Sequence, residues 1–319
     1  MIQSDINECA RVALKQCLNL SRQEQLLVVC DEPCREVGEA FWEEGVRLCR
    51  ETVMTRITPR KQNGNEPPDP VGEMFGKFDV AVMPTSKSLS HTQARRKACE
   101  RGARIATLPG ITVDVFLRTM KTDWEKLGLL TRRIAAQLSA AKKVRVTSEA
   151  GTDMVFETGG RSAKPDDGRL IFKGAFGNLP AGEAYMAPLE DTASGVICID
   201  GSFSLGGRCE SPLVFVVKKG KVTEVREHPF AEDLERLFEK YGAAARNIAE
   251  FGVGALDTAI ISGNTLEDEK VKGTIHFAVG DNASMGGIVK VPLHLDGIVR
   301  EPNVWLDDML WMEKGKMAG

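Results

Sequence analysis

Residues 25–31 read QLLVVCD, five apolar residues from Leu26 to Cys30 held between Gln25 and Asp31. A run this short, with two valines and no polar alternation, is what a strand buried on both faces requires. Working outward, Ile6, Ala10, Ala13, Leu14 and Cys17 recur at helical spacing upstream. Downstream, Pro33 stands where a helix can begin, and residues Cys34–Cys49 keep the helical period. Strand patterns follow at Thr52–Thr58, Asp79–Met83 (DVAVM) and Arg104–Leu108 (RIATL), with helical ones at Leu89–Arg101 and Trp124–Ala141. Repeated β-α-β units of this kind predict a parallel sheet covered by helices. Residues 1–141 are therefore expected to form an α/β domain with Rossmann-like layers.

Such domains often hold nucleotides, but this one lacks the means. No G-x-G-x-x-G follows the first strand, and no G-x4-G-K-S/T occurs in the chain. The turn after Val29 offers Asp31 and Glu32, acidic side chains that would repel a phosphate. This half is read as structural or substrate-shaping.

Past Lys142 and Lys143 the texture changes. Val144–Thr147, Asp153–Glu157, Gly195–Asp200, Leu213–Lys218, Val222–Arg226, Gly273–Val279 and Ile288–His294 read as short strands between Gly-rich turns. Phe230–Tyr241 is a helix, and Lys219-Gly220-Lys221 a hairpin turn. Successive strands with few helices predict an α+β domain over residues 142–319, its sheet mainly antiparallel.

Composition sets outer bounds. Hydrophobic residues make up 42% of the 319 and charged residues 27%, values of a globular protein. No apolar run approaches the roughly 20 residues of a membrane helix. The N-terminal stretch has early acidic residues and no apolar h-region, so a cytoplasmic location is expected. A net charge of −3 without a basic block argues against nucleic acid as a partner. The eight cysteines lack paired spacing, Cys30 and Cys34 being the nearest, and read as reduced thiols. His91 and His228 read as peripheral, with Ser88 or Ser90 able to cap the helix that follows His91.

Chemistry concentrates in the C-terminal half. In VPLHLDG, His294 and Asp296 are two apart on a strand-like segment and so project from one face, a common corner of a metal site. A structural hydrogen bond between them is the alternative. In GTIHFAVG, His276 shares its face with Thr274 and Ala278, small neighbours that leave room beside the imidazole. Glu250 lies in the apolar stretch IAEFGVGAL, and Glu183 lies between two prolines in NLPAGEAYMAP, read as a fixed extended loop. A carboxylate withdrawn from water needs a partner or a metal, and long-range salt bridges remain open for both. Two histidines and three carboxylates without cysteine suit Zn, Mn, Co or Fe(II).

The ordered motifs GTDMVFETGGR (151–161), NLPAGEAYMAP (178–188), AEFGVG (249–254), DEKVKGTIHFAVGDN (268–282) and HLDG (294–297) resemble those of the aminopeptidase T (M29) family. The resemblance implies that Glu183, Glu250, His276, His294 and Asp296 are metal ligands. Two close divalent ions would activate a bridging water toward a peptide carbonyl. Glu183 and Glu250 would be the carboxylates that bridge the ions or act as base. It implies a peptide or other small-molecule substrate and a homodimer. The chain departs from the family where Ala283 stands in place of a tyrosine, and its His276 to His294 interval is compact. A second reading comes from the same superfamily, whose dihydroxypyridine ring-cleaving dioxygenases hold one Fe(II) on two histidines and an aspartate, here His276, His294 and Asp296. A third is a catalytically weak metal-binding homologue. Asp281 and Asn282, after the His276 strand, could orient a ligand imidazole, though a turn role competes.

Overall fold

The computed structural model describes residues 2–226 and 228–318. The chain divides into two compact units, Met1–Gly128 with Asp166–Ala181, and Leu129–Pro165 with Gly182–Gly319. The change of texture near residue 142 thus falls inside the second unit, which begins at Leu129.

The first unit is built on a parallel sheet ordered Glu51–Arg56, Gln25–Cys30, Val80–Thr85, Arg104–Pro109 and Phe176–Asn178. Five of the six residues of Gln25–Cys30 are buried, as are all six of Val80–Thr85. Helix Arg35–Leu48 can lie close against this sheet because Gly38 and Gly45 face it. An added Cβ would come within 2.8 Å of Cys30 Cβ and 2.6 Å of Leu26 Cδ2. The helix expected from Leu89 begins only at Gln93. Its cap is Thr92, whose hydroxyl accepts from the Arg95 amide, not Ser88 or Ser90.

The second unit holds two antiparallel sheets. One is ordered Lys221–Val225, Leu213–Lys218, Ser194–Ile199, Asp153–Glu157, Lys143–Thr147, Asn303–Leu306, Met309–Glu313 and Lys316–Met317. The other runs Gly207–Arg208, Ser202–Phe203, His294–Val299, Ile275–Gly280, Ile248–Gly254, Glu183–Met186 and Lys164–Asp166. The fold class is therefore a parallel α/β sheet with helices together with antiparallel sheets. The two antiparallel sheets pack through aromatic rings, Phe156 lying 5.2 Å from Phe251 and 6.3 Å from Phe277 between centroids, as face-to-face sheets do. Lys219 and Gly220 both have positive φ, 48° and 72°, which makes the expected hairpin a type I′ turn.

Segments near the candidate site differ from their sequence reading or go beyond it. Glu183 heads a strand instead of a loop, and the strand Ile248–Gly254 carries Glu250. Residues Ile288–Leu293 are not a strand, which starts at His294. Asp281 and Asn282 account for that, since Asp281 Oδ2 accepts from the Val291 amide and Asn282 Oδ1 from the Val289 amide. Side chains thus take the donors that a ladder would have used.

All eight cysteines are free. Among the described residues no helix is long and apolar enough to cross a membrane.

Candidate metal centre

Alternation along the Phe251 and Phe277 strands decides which side chains meet. Those rings point toward the opposing sheet, so Glu250 and His276, one residue away, point to the other face. The register then aligns that face across four strands. Glu250 sits opposite Ala278 and Ala278 opposite Asp296, while Gly254 is opposite Glu183 and Gly280 opposite His294. Directly opposed residues of antiparallel strands share a face. All five residues singled out in the sequence are thereby gathered on one surface, with glycine and alanine spaced between them.

Their contacts form an unbroken line. His276 Nε2 lies 3.1 Å from Glu183 Oε2 and 3.2 Å from Glu250 Oε1. His294 Nε2 lies 3.2 Å from Glu250 Oε2 and 3.3 Å from Asp296 Oδ1. Glu250 thus stands between the two imidazoles. Two groups of three donors lie within 4.8 Å of one another: Glu183, Glu250 and His276, and Glu250, His294 and Asp296. Gly252 is what admits His276, because a Cβ there would fall 2.1 Å from both Cε1 and Nε2 of the ring.

One contributor gives no signal in the sequence. Lys270, its side chain 1% exposed, reaches Glu183 Oε1 at 2.5 Å and Glu269 Oε1 at 2.6 Å. It arrives on the segment after the short helix Thr265–Asp268, tied to the end of the Glu250 strand by Leu256 N–H to Lys270 O, 2.8 Å. Eighty-seven residues separate it from Glu183, so no local spacing announces it. A long-range salt bridge is therefore present at Glu183.

Electrostatics show what the arrangement lacks. Glu183, Glu250 and Asp296, all buried, with the Glu269 carboxyl beside them, are set against the ammonium of Lys270. His294 Nδ1 donates to the Asp281 carbonyl at 2.9 Å. A neutral His294 would then aim its Nε2 lone pair at oxygens of Glu250 and Asp296. That is repulsive unless a proton or a metal ion lies between. Without an ion, burial works against a charged His294, but Asp296 and Glu250 outweigh it and hold its pKa well above the ordinary value. His276 is raised in the same way, burial being overcome by Glu183 and Glu250. For Glu250, burial is outweighed by hydrogen bonds from both histidines, which keep it well below the usual carboxylate range. Burial pushes Glu269 up to about 8, with Lys270 opposing and Glu183 and Asp296 adding, the ordinary contest between desolvation and neighbouring charge.

The donor set fits a divalent ion. Glu183 Oε2, which faces His276 Nε2, is buried without a hydrogen-bond partner, a condition that costs ~1–3 kcal/mol. The approach of His276 Nε2 to Glu183 Oε2 is thus a close contact of two donors, not a formed hydrogen bond. Two donors each about 2.1 Å from an ion and at right angles lie about 3.0 Å apart, close to the 3.1–3.3 Å found here. His294 also shows the support usual for a ligand imidazole, its second nitrogen fixed by a carbonyl. That acceptor is the main chain of Asp281, whose side chain, like that of Asn282, folds the turn.

The other two histidines take no part. His228 Nε2 lies 3.0 Å from the Ser211 carbonyl and its Nδ1 accepts from the Phe230 amide, and His91 is exposed.

The loop that delivers His294 is anchored from outside. Glu190 Oε1 accepts from Asn282 Nδ2 and the Ile288 amide, both at 2.9 Å, while its other oxygen pairs with Arg161. Ser204 fixes Asp296, its hydroxyl accepting from the Asp296 amide at 2.9 Å.

Similarity to known proteins agrees with a metal centre and alters its expected chemistry. Residues 34–319 match the family described as NicX: 2,5-dihydroxypyridine 5,6-dioxygenase. The 2,5-dihydroxypyridine 5,6-dioxygenase of Pseudomonas putida is 26% identical over 238 residues, covering 69% of this chain and 66% of the relative, just under two thirds of its length. Among solved structures, the 2,5-dihydroxypyridine dioxygenase of P. putida KT2440 superposes with a TM-score of 0.84 at 19% identity, over 99% of this chain and 98% of that one. AmpT of Thermus thermophilus gives 0.74 at 17% identity over the full length of both. At such identities the two structures show a shared fold alone. The aminopeptidase activity expected from the motif resemblance is thereby corrected. The family match runs through most of the chain, residues 34–319, and its description is that of a dioxygenase family, not a peptidase family. On that extent of match, the chain belongs to the NicX 2,5-dihydroxypyridine 5,6-dioxygenase family.

Proposed function

We propose that this chain is a ring-cleaving dioxygenase, opening a dihydroxylated pyridine or a closely similar ring with one ferrous ion. The observation that carries this reading is the arc His276, Glu250, His294 and Asp296, whose nitrogen and oxygen donors face one another across gaps suited to a cation, in a chain of this family. Those four residues would hold the ion. When bound, ferrous iron supplies the one-electron chemistry by which a ring and dioxygen can react.

The protein's own part is positioning and charge. The Asp281 carbonyl holds the His294 ring, and Gly252 leaves space for His276. The Ser204 hydroxyl sets the Asp296 backbone. His294, with 31% of its side chain exposed, marks the side open to a substrate, while His276 is sealed behind it. Lys270 offsets the charge of the inner carboxylates where water does not reach.

The test is oxygen uptake by protein loaded with Fe(II) under anaerobic conditions and then given 2,5-dihydroxypyridine. Iron-dependent uptake, lost in His294→Ala, is expected. Release of amino acids from unblocked peptides without oxygen consumption would overturn the proposal.

A further inference from the structure

Two groups of donors sharing Glu250 suggest room for two ions, yet one group already contains a cation. Glu183 belongs to the inner group with Glu250 and His276. One of its oxygens is 2.5 Å from the Lys270 ammonium, which is buried and joined on its other side to Glu269. The Lys270 backbone cannot easily withdraw that charge. Leu256 N–H donates to its carbonyl, and Lys272 N–H donates back to the Leu256 carbonyl. Gly254, opposite Glu183, lets this segment approach, since a Cβ there would meet Val271 O at 2.1 Å. A metal ion on Glu183 would therefore face a fixed positive charge across a single carboxylate. Among the described residues, the close ion pairs of the outer group, Glu250, His294 and Asp296, run to histidines and carboxylates and to no Lys or Arg.

We infer that Lys270 is a positioning residue that stands in for a second metal ion: it engages one oxygen of Glu183, leaves only the other as a donor, and holds the centre to one ion per chain. This rests on the reading of the site as a metal centre, but not on the oxygenase reaction. The Glu269–Lys270–Glu183 bridge is thus a specificity device, deciding how many ions enter.

The experiment is metal stoichiometry with Mn2+, read by elemental analysis, calorimetry and electron paramagnetic resonance. Wild-type protein should bind one ion and give the hyperfine-resolved signal of an isolated Mn2+. Lys270→Met alone leaves two carboxylates without a counter-charge and can fail to fold. The working variant is therefore Glu269→Gln with Lys270→Met, which removes the Glu269 acid together with the ammonium it pairs with and leaves both oxygens of Glu183 able to ligate. It should take up two ions with an exchange-coupled signal, whereas Lys270→Arg should stay at one. A wild type that binds two ions, or a folded double variant that still binds one, overturns the inference. Binding of no ion at all sinks the metal-centre reading with it. One ion without oxygenase turnover would sink only the proposed reaction.

Discussion

Gly252→Ala tests whether the space beside His276 is required. The new Cβ would lie 2.1 Å from Cε1 and Nε2 and 3.0 Å from Cδ2. Ordinary contact is about 3.5 Å, so the ring must retreat by about 1.4 Å or the strand must yield. His276 is completely buried, and overpacking of this kind costs ~1–3 kcal/mol. Its Nε2 now stands 3.2 Å from Glu250 Oε1. A retreat of that size would open the gap to about 4 Å or more, outside the spacing of two donors on one ion. Loss of comparable support for a ligand weakens metal binding ~10–100-fold. Calorimetric titration with Mn2+ measures the affinity, and thermal unfolding of the metal-free protein measures the packing cost separately. The expected result is a loss in both, with the affinity falling at least tenfold. A variant that binds Mn2+ within twofold of wild type, with unchanged melting, would refute the argument that Gly252 exists to admit His276.

Three further outcomes follow from the geometry. His294→Ala or Asp296→Asn should weaken Mn2+ binding more than a hundredfold by calorimetry while far-ultraviolet circular dichroism stays the same. Glu190 is pushed up by burial, but Arg161, the Ile288 amide and Asn282 outweigh that and hold it at about 2. Its stabilisation, on the order of 1–3 kcal/mol once solvent screening is allowed for, is therefore present above about pH 4.5 and lost as the pH falls toward 2. Glu190→Gln should flatten that acid limb in urea unfolding followed from pH 6 to 2, and a limb as steep as wild type would count against the clamp. Ala283→Tyr, which would restore a hydrolase-like phenol, should give no measurable release of amino acids from aminoacyl amides.

Much of the candidate metal centre is legible in the residues alone because two of its rules are local. His294 and Asp296 meet since two residues apart on a strand means the same face, and that holds even though the strand starts later than expected. The small residues beside His276 also signal space, although the glycine that makes most of it, Gly252, comes from a neighbouring strand. The carboxylates are harder. Glu183 sits between prolines and Glu250 among glycines, compositions that mask strands whose register is fixed only by pairing with the His276 strand and with each other. Lys270 is invisible because its partner is distant in sequence and because DEKVKG reads as a solvated charge run. In the first unit, buried parallel strands announce themselves as apolar runs, and each of the expected strands appears within a few residues of its place. The motif resemblance misleads because it rests on five short stretches, whereas the family match extends over residues 34–319.

The loop between the two histidine strands is closed at its base. Asp281 N–H donates to the Leu293 carbonyl at 2.8 Å, Gly280 lies opposite His294, and the Asp281 carbonyl grips the His294 ring. Beyond that neck, the segment from Ser284 to Lys290 is held at the Ser284 carbonyl by Lys164 and at the Ile288 amide by Glu190, and neither contact involves one of the five donors. The sequence distance from His276 to His294 is therefore a free variable in the design of this centre. Each doubling of a loop adds only about 0.6 kcal/mol in closure entropy, so the tip can lengthen into a substrate-covering segment, or accept a foreign peptide, without moving a ligand.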